Sequence, residues 1–351
     1  MIDKRLFYIN GKWVKPNKKN NFDVINPSNE DSYATISLGN KRDVDIAVNA
    51  AKIAFLTWQN VDKKTRIILL EKLLKIYKSR WDEISVKDVP HEISFHTSLK
   101  KLNSIIDLAI ITTTSDVRLN VVNQVLNSTT VNSWILEKVL AQSAEDIKLL
   151  LCSLSDCPYV WVNIPRREMN WYQEIRINLD WSSETIFSVS GGNWGLACNS
   201  IHFLDLFSWM SGNTIKQINT SHLQTNWFES KRKGFWEVNG SLEAVFSDGS
   251  CSYIHSSDTN DRVQIEIRNG LVWNINEDEG IAQRNDGFAL MGKVDLQSNI
   301  TTSIVDSILE KKDCNLPSLA ESSQTHKIFL NAMLDHWREN KNSQASILPI
   351  T

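Results

Sequence analysis

Between residues 104 and 167 the chain alternates apolar runs with helical patterns, and this limits its fold more than any other feature. IIDLAIITTT is a mostly apolar run, broken by Asp107 and ending in hydroxyl residues. SDVRLNVVNQVLNS follows as a predicted helix, with Ser115 or Asp116 at its cap. VNSWILEKVL is a second such run, AQSAEDIKLLLCSL a second helix and PYVWVNIPRR a third run. Short apolar runs joined by helices specify parallel strands buried on both faces. Ligands of such sheets bind outside the C-terminal strand ends. Thr113, Thr114, Glu137, Lys138 and Arg166 all fall there.

The stretch Gly191–Gly212, GGNWGLACNSIHFLDLFSWMSG, contains one formal charge, Asp205. Ala197, Ile201, Leu204, Phe207 and Met210 recur at near-helical spacing, which predicts a buried helix entered through a tight turn. His202 and Asp205 stand at i and i+3 on one face. An imidazole beside a carboxylate on an apolar helix is either satisfied for structure or used for chemistry. Before this stretch, MNWYQEIRINL and TIFSVSGG read as strand-like. After it, FWEVNGSLEAVFSDGSCSYIHSS has turn signals at Asn239-Gly240 and Asp248-Gly249, and RVQIEIRNGLVWNIN alternates around Asn269-Gly270. These predict an antiparallel sheet with one buried face. TTSIVDSILEKK and SLAESSQTHKIFLNAMLDHW return to helix, and the last few residues read as frayed.

The first 86 residues differ in pattern and in charge. LFYINGKWV is a strand broken by the turn dipeptide Asn10-Gly11, and FDVINP and ATISLG are further short strands. Asn40, with Asp43 three residues on, caps a helix whose stripe is Val44, Val48, Ala51, Phe55 and Trp58. Asp62 opens a second helix, with Ile67, Leu70, Leu74, Tyr77, Trp81 and Ile84 on its stripe. Residues 1–86 hold 16 Lys+Arg against 10 Asp+Glu, and the remainder 22 against 31. The basic residues are dispersed, which argues against a nucleic-acid surface. No apolar run has the length of a membrane span, and no secretory signal is visible. Five cysteines at 152, 157, 198, 251 and 314 fit no redox or zinc spacing and suggest reduced thiols in a cytoplasm. HEISFH (91–96) nearly matches HExxH, but histidines five apart do not share a helix face, so no metal site is expected.

YINGKWV, then VINPSNE, then ISLGNKRDVDIAVNAAKIAFLTW and a Leu-rich helix resemble the opening of aldehyde dehydrogenases. The resemblance implies a segment on the outside of a cofactor domain that helps oligomerisation. That family's cysteine nucleophile lies in a Gly-Gln-x-Cys type motif and its general base in a Glu-Leu-Gly-Gly type motif. Neither occurs in this sequence, so no catalytic residue carries over.

From about residue 88 onward the chain looks like the Gfo/Idh/MocA oxidoreductases. The family's Glu-Lys-Pro is here Glu137-Lys138-Val139, its Ala-Thr-Pro element is Thr112-Thr113-Thr114, and Arg118 takes the place of a common histidine. Its Asp-x-Gly-x-His-x-x-Asp register runs from Cys198 to Asp205, keeping His202 and Asp205 but with Cys198 and Ser200 for the first Asp and the Gly. The resemblance implies Lys138 and His202 as proton-transfer groups with Asp205 orienting the imidazole. It puts Thr113, Thr114, Glu137 and Lys138 at an NAD or NADP cofactor. Arg166 and Arg167 are either anchors for an anionic substrate group or surface salt bridges. A dinucleotide needs a GxGxxG turn opening a helix, and no such spacing exists among the 13 glycines.

The expected fold is α/β: a partial doubly wound, Rossmann-like parallel sheet, then an α+β part with an open, mainly antiparallel sheet, preceded by a small β-hairpin and two-helix segment. The expected segments are 1–86, 87–165 and 166–351. The expected function is NAD(P)-dependent oxidation or reduction at a sugar or polyol hydroxyl, impaired by the missing dinucleotide turn. The alternatives are a non-catalytic composite (a sugar-binding or oligomerising remnant, or a gene-join product) and an aldehyde dehydrogenase-related protein without its catalytic residues. The expected partner is a small molecule, with homo-oligomerisation possible and neither nucleic acid nor membrane involved.

Overall fold

A computed structural model describes residues 2–25, 32–80, 96–181, 183–292 and 297–351. They fall into two compact units, 1–96 and 97–351.

In the first unit, β1 (Ile2–Lys4), β4 (Asn21–Ile25) and β5 (Ser32–Ser37) form one sheet, in the order β1-β5-β4. β2 (Phe7–Ile9) and β3 (Lys12–Val14) form the expected hairpin. Asn10 and Gly11 both have positive φ, 52° and 75°, as a tight hairpin turn requires. Helix α1 (Lys41–Trp58) starts with the expected capping box: the Asn40 side chain accepts from the Arg42 and Asp43 amides, and Asp43 accepts from the Asn40 amide at 3.0 Å. Asp62 caps α2 (Lys63–Ser79) through the Thr65 amide at 2.9 Å. Each such cap contributes roughly 1 kcal/mol. The apolar stripes stay uncovered, with Phe55 56% and Leu70 65% exposed. Trp81, Ile84 and all of HEISFH except His96 lie outside the described residues.

The second unit opens with β6 (Ile105–Ile111), α3 (Arg118–Leu126), β7 (Thr130–Glu137), α4 (Ala144–Ser153) and β8 (Val160–Asn163). The three strands are parallel in the order β6-β7-β8, as the alternation predicts. β7 is the buried strand, from Ser133 through Leu136. β6 is not buried on both faces: Ile105 is 61% and Ile110 44% exposed, because β6 is the sheet edge among the described residues. Neither Ser115 nor Asp116 caps α3. Ser115 is drawn instead to the chain's last residues, its amide donating to Thr351 Oγ1 at 3.0 Å and its hydroxyl to the Ile350 carbonyl. Those residues are not frayed, since Leu348 and Ile350 are fully buried.

MNWYQEIRINL, expected as a strand, forms helix α5 (Asn170–Ile177). Trp171, Tyr172 and Ile175 are its buried residues, and that spacing makes one stripe of a helix. After it come β9 (Ile186–Gly192), α6 (Leu196–Ser211), β10 (Ile215–Leu223), β11 (Phe228–Glu229), β12 (Trp236–Glu237), β13 (Gly240–Phe246), β14 (Cys251–Ser257), β15 (Gln264–Asn269), β16 (Leu271–Asn276), β17 (Ile281–Arg284) and β18 (Ala289–Met291). Eight of these strands form one sheet, ordered β10-β13-β14-β9-β15-β16-β17-β18, in which only β14 and β9 pair in parallel. Helices α7 (Gln297–Lys311) and α8 (Leu319–Asn340) complete the unit. α6 is almost wholly buried, and its Phe207 stacks on Phe187 of β9 at 4.4 Å. One apolar core runs from Ile111 through both sheets to Ile350. No helix among the described residues is long and apolar enough to cross a membrane.

Two outcomes follow from this packing. Brief proteolysis should cut within α1 and α2 well before it cuts residues 97–351, read by mass spectrometry of the surviving fragments. His326 of α8 is fully buried, its Nδ1 against the Ser322 carbonyl at 2.9 Å, and burial pushes its pKa down to about 3. An unfolded histidine titrates near about 6.5. Below that pH the unfolded chain gains a proton that the folded chain refuses, so His326 lowers stability progressively as pH falls from about 6.5 to about 3. His326→Gln should remove up to about 1.4 kcal/mol per pH unit from that slope, measured by urea unfolding across the range.

Candidate active site

β7 delivers Glu137 and then Lys138 to the C-terminal edge of the parallel sheet. The Lys138–Val139 peptide is cis. The Lys138 side chain crosses to the head of α6, where Nζ donates to the Cys198 carbonyl at 3.2 Å and to Asn199 Oδ1 at 3.3 Å. Burial lowers its pKa, against the opposing pull of Cys198, Glu137 and Glu237. Glu137 accepts from Asn163 Nδ2 at 2.7 Å. Arg118 is buried behind the turn and donates to the carbonyls of Thr113, Val139 and Leu140, which ties the ends of β6 and β7 together.

The first turn of α6 is built around Gly195. Its φ of +78° suits glycine, and a Cβ there would lie 3.1 Å from both Asn199 Nδ2 and Glu237 Oε1. The α6 amides need partners, and Glu237 of β12 supplies them. Its carboxylate accepts from the Ala197 amide at 2.8 Å and the Cys198 amide at 3.3 Å. Asn199 donates to the Trp194 carbonyl at 2.8 Å, so its amide oxygen faces Lys138.

Asn199 lines two cavities. One, of about 670 Å³, also has Thr113, Glu137, Lys138, Glu237 and Arg232 on its walls. The other, of about 320 Å³, is lined by Arg166, Trp194, His202, Phe203 and Glu277 among others. His202 lies one helical turn beyond Asn199, and its Nδ1 has no hydrogen bond among the described residues. Burial holds its pKa well below the ordinary value, with the positive charges of Arg166 and Lys138 acting in the same direction. Both candidate proton acceptors are therefore driven toward their neutral forms.

The remaining expected residues are placed differently. Asp205 does not orient His202: both its oxygens are taken by Arg167, at 2.6 and 2.7 Å. Arg167 lines neither of these two cavities, and its side chain is buried and held by Asp205 and Glu321. Arg166 does line the smaller cavity, but Glu277 holds it through two bonds of 2.9 and 3.0 Å, and Phe203 lies 4.4 Å under its guanidinium. Tyr172 completes that cluster by donating to Glu277. Of the threonines, Thr113 lines the larger cavity with an unbonded Oγ1, whereas Thr114 is not on its wall. Asn199 shares a helix face with His202 by its spacing, whereas Trp194 precedes α6 and has no such relation. Glu237, on β12, and Glu277, in the turn after β16, are distant in sequence and carry no local signal.

Among the described residues, the glycines at the head of α6 do not form a cradle for the pyrophosphate of a dinucleotide. That group needs free backbone amides at a glycine turn. Gly192 is packed against Thr259, where a Cβ would meet the carbonyl oxygen at 2.3 Å. Gly195 is packed against Glu237, which also occupies the α6 amides.

Residues 13–92 match the aldehyde dehydrogenase family. A Pseudomonas 3-succinoylsemialdehyde-pyridine dehydrogenase is 44% identical over 85 residues, 24% of this chain and 18% of that protein. The chain thus spans about a fifth of the length of the curated relatives it matches. Among solved structures, the UDP-N-acetylglucosamine 3-dehydrogenase of Acidithiobacillus ferrooxidans superposes with a TM-score of 0.53 at 9% identity, covering 65% of this chain and 77% of that one. An Agrobacterium radiobacter oxidoreductase, solved with NAD+, L-tartaric acid and magnesium, gives 0.50 at 14% identity, covering 66% and 78%. These neighbours are oxidoreductases of the Gfo/Idh/MocA type, and at such identities they establish a shared fold.

Replacing Asp205 weakens two charge-assisted hydrogen bonds but leaves Arg167 paired with Glu321. Asp205→Asn should therefore cost about 1.5–3 kcal/mol of unfolding free energy, measured by urea denaturation at neutral pH.

Proposed function

We propose that residues 97–351 are the hydroxyl-handling part of a nicotinamide-dependent oxidoreductase of the Gfo/Idh/MocA type, with a sugar or polyol as ligand, and that dinucleotide binding by this chain is impaired. One observation carries this: the Lys138 amine and the His202 imidazole, both pushed toward neutrality by burial, line adjoining cavities that share Asn199. A neutral amine or imidazole accepts the proton of a bound hydroxyl, Lys138 at Nζ and His202 at its unbonded Nδ1. Trp194 and Phe203, with Glu277 and Asp278, line the smaller cavity with apolar and hydrogen-bonding groups together, as a sugar requires. Arg166 is committed to Glu277, which favours an uncharged ligand over an acid.

In such enzymes the dinucleotide supplies the hydride chemistry. The resemblance puts Thr113, Glu137 and Lys138 at the nicotinamide, while the glycines at the head of α6 are packed against Thr259 and Glu237, which speaks against an amide cradle for the pyrophosphate there. Turnover by this chain on its own is accordingly weak or absent. The aldehyde dehydrogenase-like segment contributes no reacting group to it. The uncovered stripes of α1 and α2 support an associating role for residues 1–96, and unpaired thiols support a reducing, cytoplasmic setting.

Calorimetric titration of the purified chain tests this proposal. A panel of sugars and polyols should include a binder whose affinity falls at least about tenfold in Lys138→Ala and in His202→Ala. NAD(H) and NADP(H) should give no saturable heat up to millimolar concentration. Micromolar dinucleotide binding would overturn the lost cradle, and a panel without any binder would overturn the hydroxyl site.

A further inference from the structure

Glu237 is a carboxylate only 6% exposed, on a two-residue strand, and nothing in the chain's motifs points to it. It meets Cys198 through that residue's amide and thiol, while Lys138 meets the same residue through its carbonyl. Cys198 is thus held from two sides, by the acid on its N–H and by the amine on its C=O. Capping a helix does not require a buried charge, since a hydroxyl or amide side chain does it at lower desolvation cost. A charge retained here has another group to act on, and Lys138 lines the same cavity.

We propose that Glu237 is a positioning residue for Lys138: seated on the first turn of α6, it fixes the Cys198 peptide that receives the Lys138 amine and sets a carboxylate on the wall of the cavity that the amine lines. This rests on the hydroxyl-handling role proposed for Lys138. The charged and titratable groups bearing on Lys138 are Glu137 beside it, Arg118 of α3, Cys198 and His202 of α6, Glu237 of β12 and His326 of α8. Arg118 pushes toward the neutral amine, as burial does, and Glu137 and Glu237 push back. Glu137 is shared with Asn163. Among the described residues Glu237 has no ion-pair partner, and its hydrogen bonds go to the helix head. Burial raises its pKa, against the opposing pull of the Cys198 thiol, the Ala197 and Cys198 amides and the Lys138 amine.

The experiment follows acetylation of Lys138 by acetic anhydride across a pH series, in the full chain, with the Lys138 peptide quantified by mass spectrometry. The half-point for Lys138 should lie below that of exposed lysines. In Glu237→Gln it should drop further by about one pH unit, so that at a fixed pH below the half-point Lys138 reacts about tenfold faster. Glu237→Asp, which keeps the charge, should restore at least half of that shift. A Glu237→Gln profile that coincides with the unaltered chain overturns the proposal. Should that variant fail to fold, Glu237→Ser decides, since a hydroxyl still accepts from the α6 amides without carrying a charge: the same drop supports the proposal, and a profile that coincides with the unaltered chain overturns it. The profile is read without ligand, so it stands apart from failure of the polyol titration.

Discussion

The site depends on a buried ionic cluster that takes no part in its chemistry. Arg167 lies in the short turn Pro165–Glu168 after β8, Asp205 in the middle of α6, and Glu321 in the first turn of α8. One guanidinium therefore joins the end of the parallel sheet to the helix bearing His202 and to the long helix behind it. Such a cluster adds little net stability over an apolar equivalent, but it allows few alternative arrangements. With Glu237 holding the helix head, and Arg176 donating to the Met210 carbonyl near its end at 3.1 Å, α6 is fixed at three points. Lys138 can then meet Asn199 reproducibly, which bonds of 3.2 and 3.3 Å alone would not ensure.

Much of the architecture was legible in the residues because local chemistry sets it. Asn10-Gly11 and Asn269-Gly270 form their hairpins, Asn40 and Asp43 form their box, and the run ending at Glu137 is a buried parallel strand. Local reading failed where distant residues decide. The stretch Trp171–Ile175 can be read at either period, and burial against the rest of the unit selects the helix. Ser115 would cap a helix by type, but the end of the chain claims it. At the site, Lys138 and His202 could be anticipated as a pair, whereas the partner of Asp205 could not. Spacing along a helix pairs Asp205 with His202, while a fully charged arginine 38 residues earlier binds a carboxylate more strongly than a neutral imidazole does.

The two units make different demands on their surroundings. Residues 97–351 close around one core and satisfy most of their buried polar groups internally. Residues 1–96 have well-formed caps and turns yet leave long apolar side chains in water. Good local structure with an uncovered face is the condition of a segment whose usual packing surface belongs to another body. The likeness of residues 13–92 to a small fraction of much longer enzymes is consistent with that condition.

The position of β6 has a consequence for how the chain behaves in a crowded solution. Among the described residues it is a parallel edge strand, with exposed isoleucines at 105 and 110 forming an apolar strip beside it. Lysine, proline and bulges are the usual means of blunting such an edge, and IIDLAII contains none of the three, with Asp107 its only charge. During synthesis this strand emerges before β7, the strand it pairs with, so for that interval it is a sticky ribbon whose fate depends on how quickly the following residues arrive.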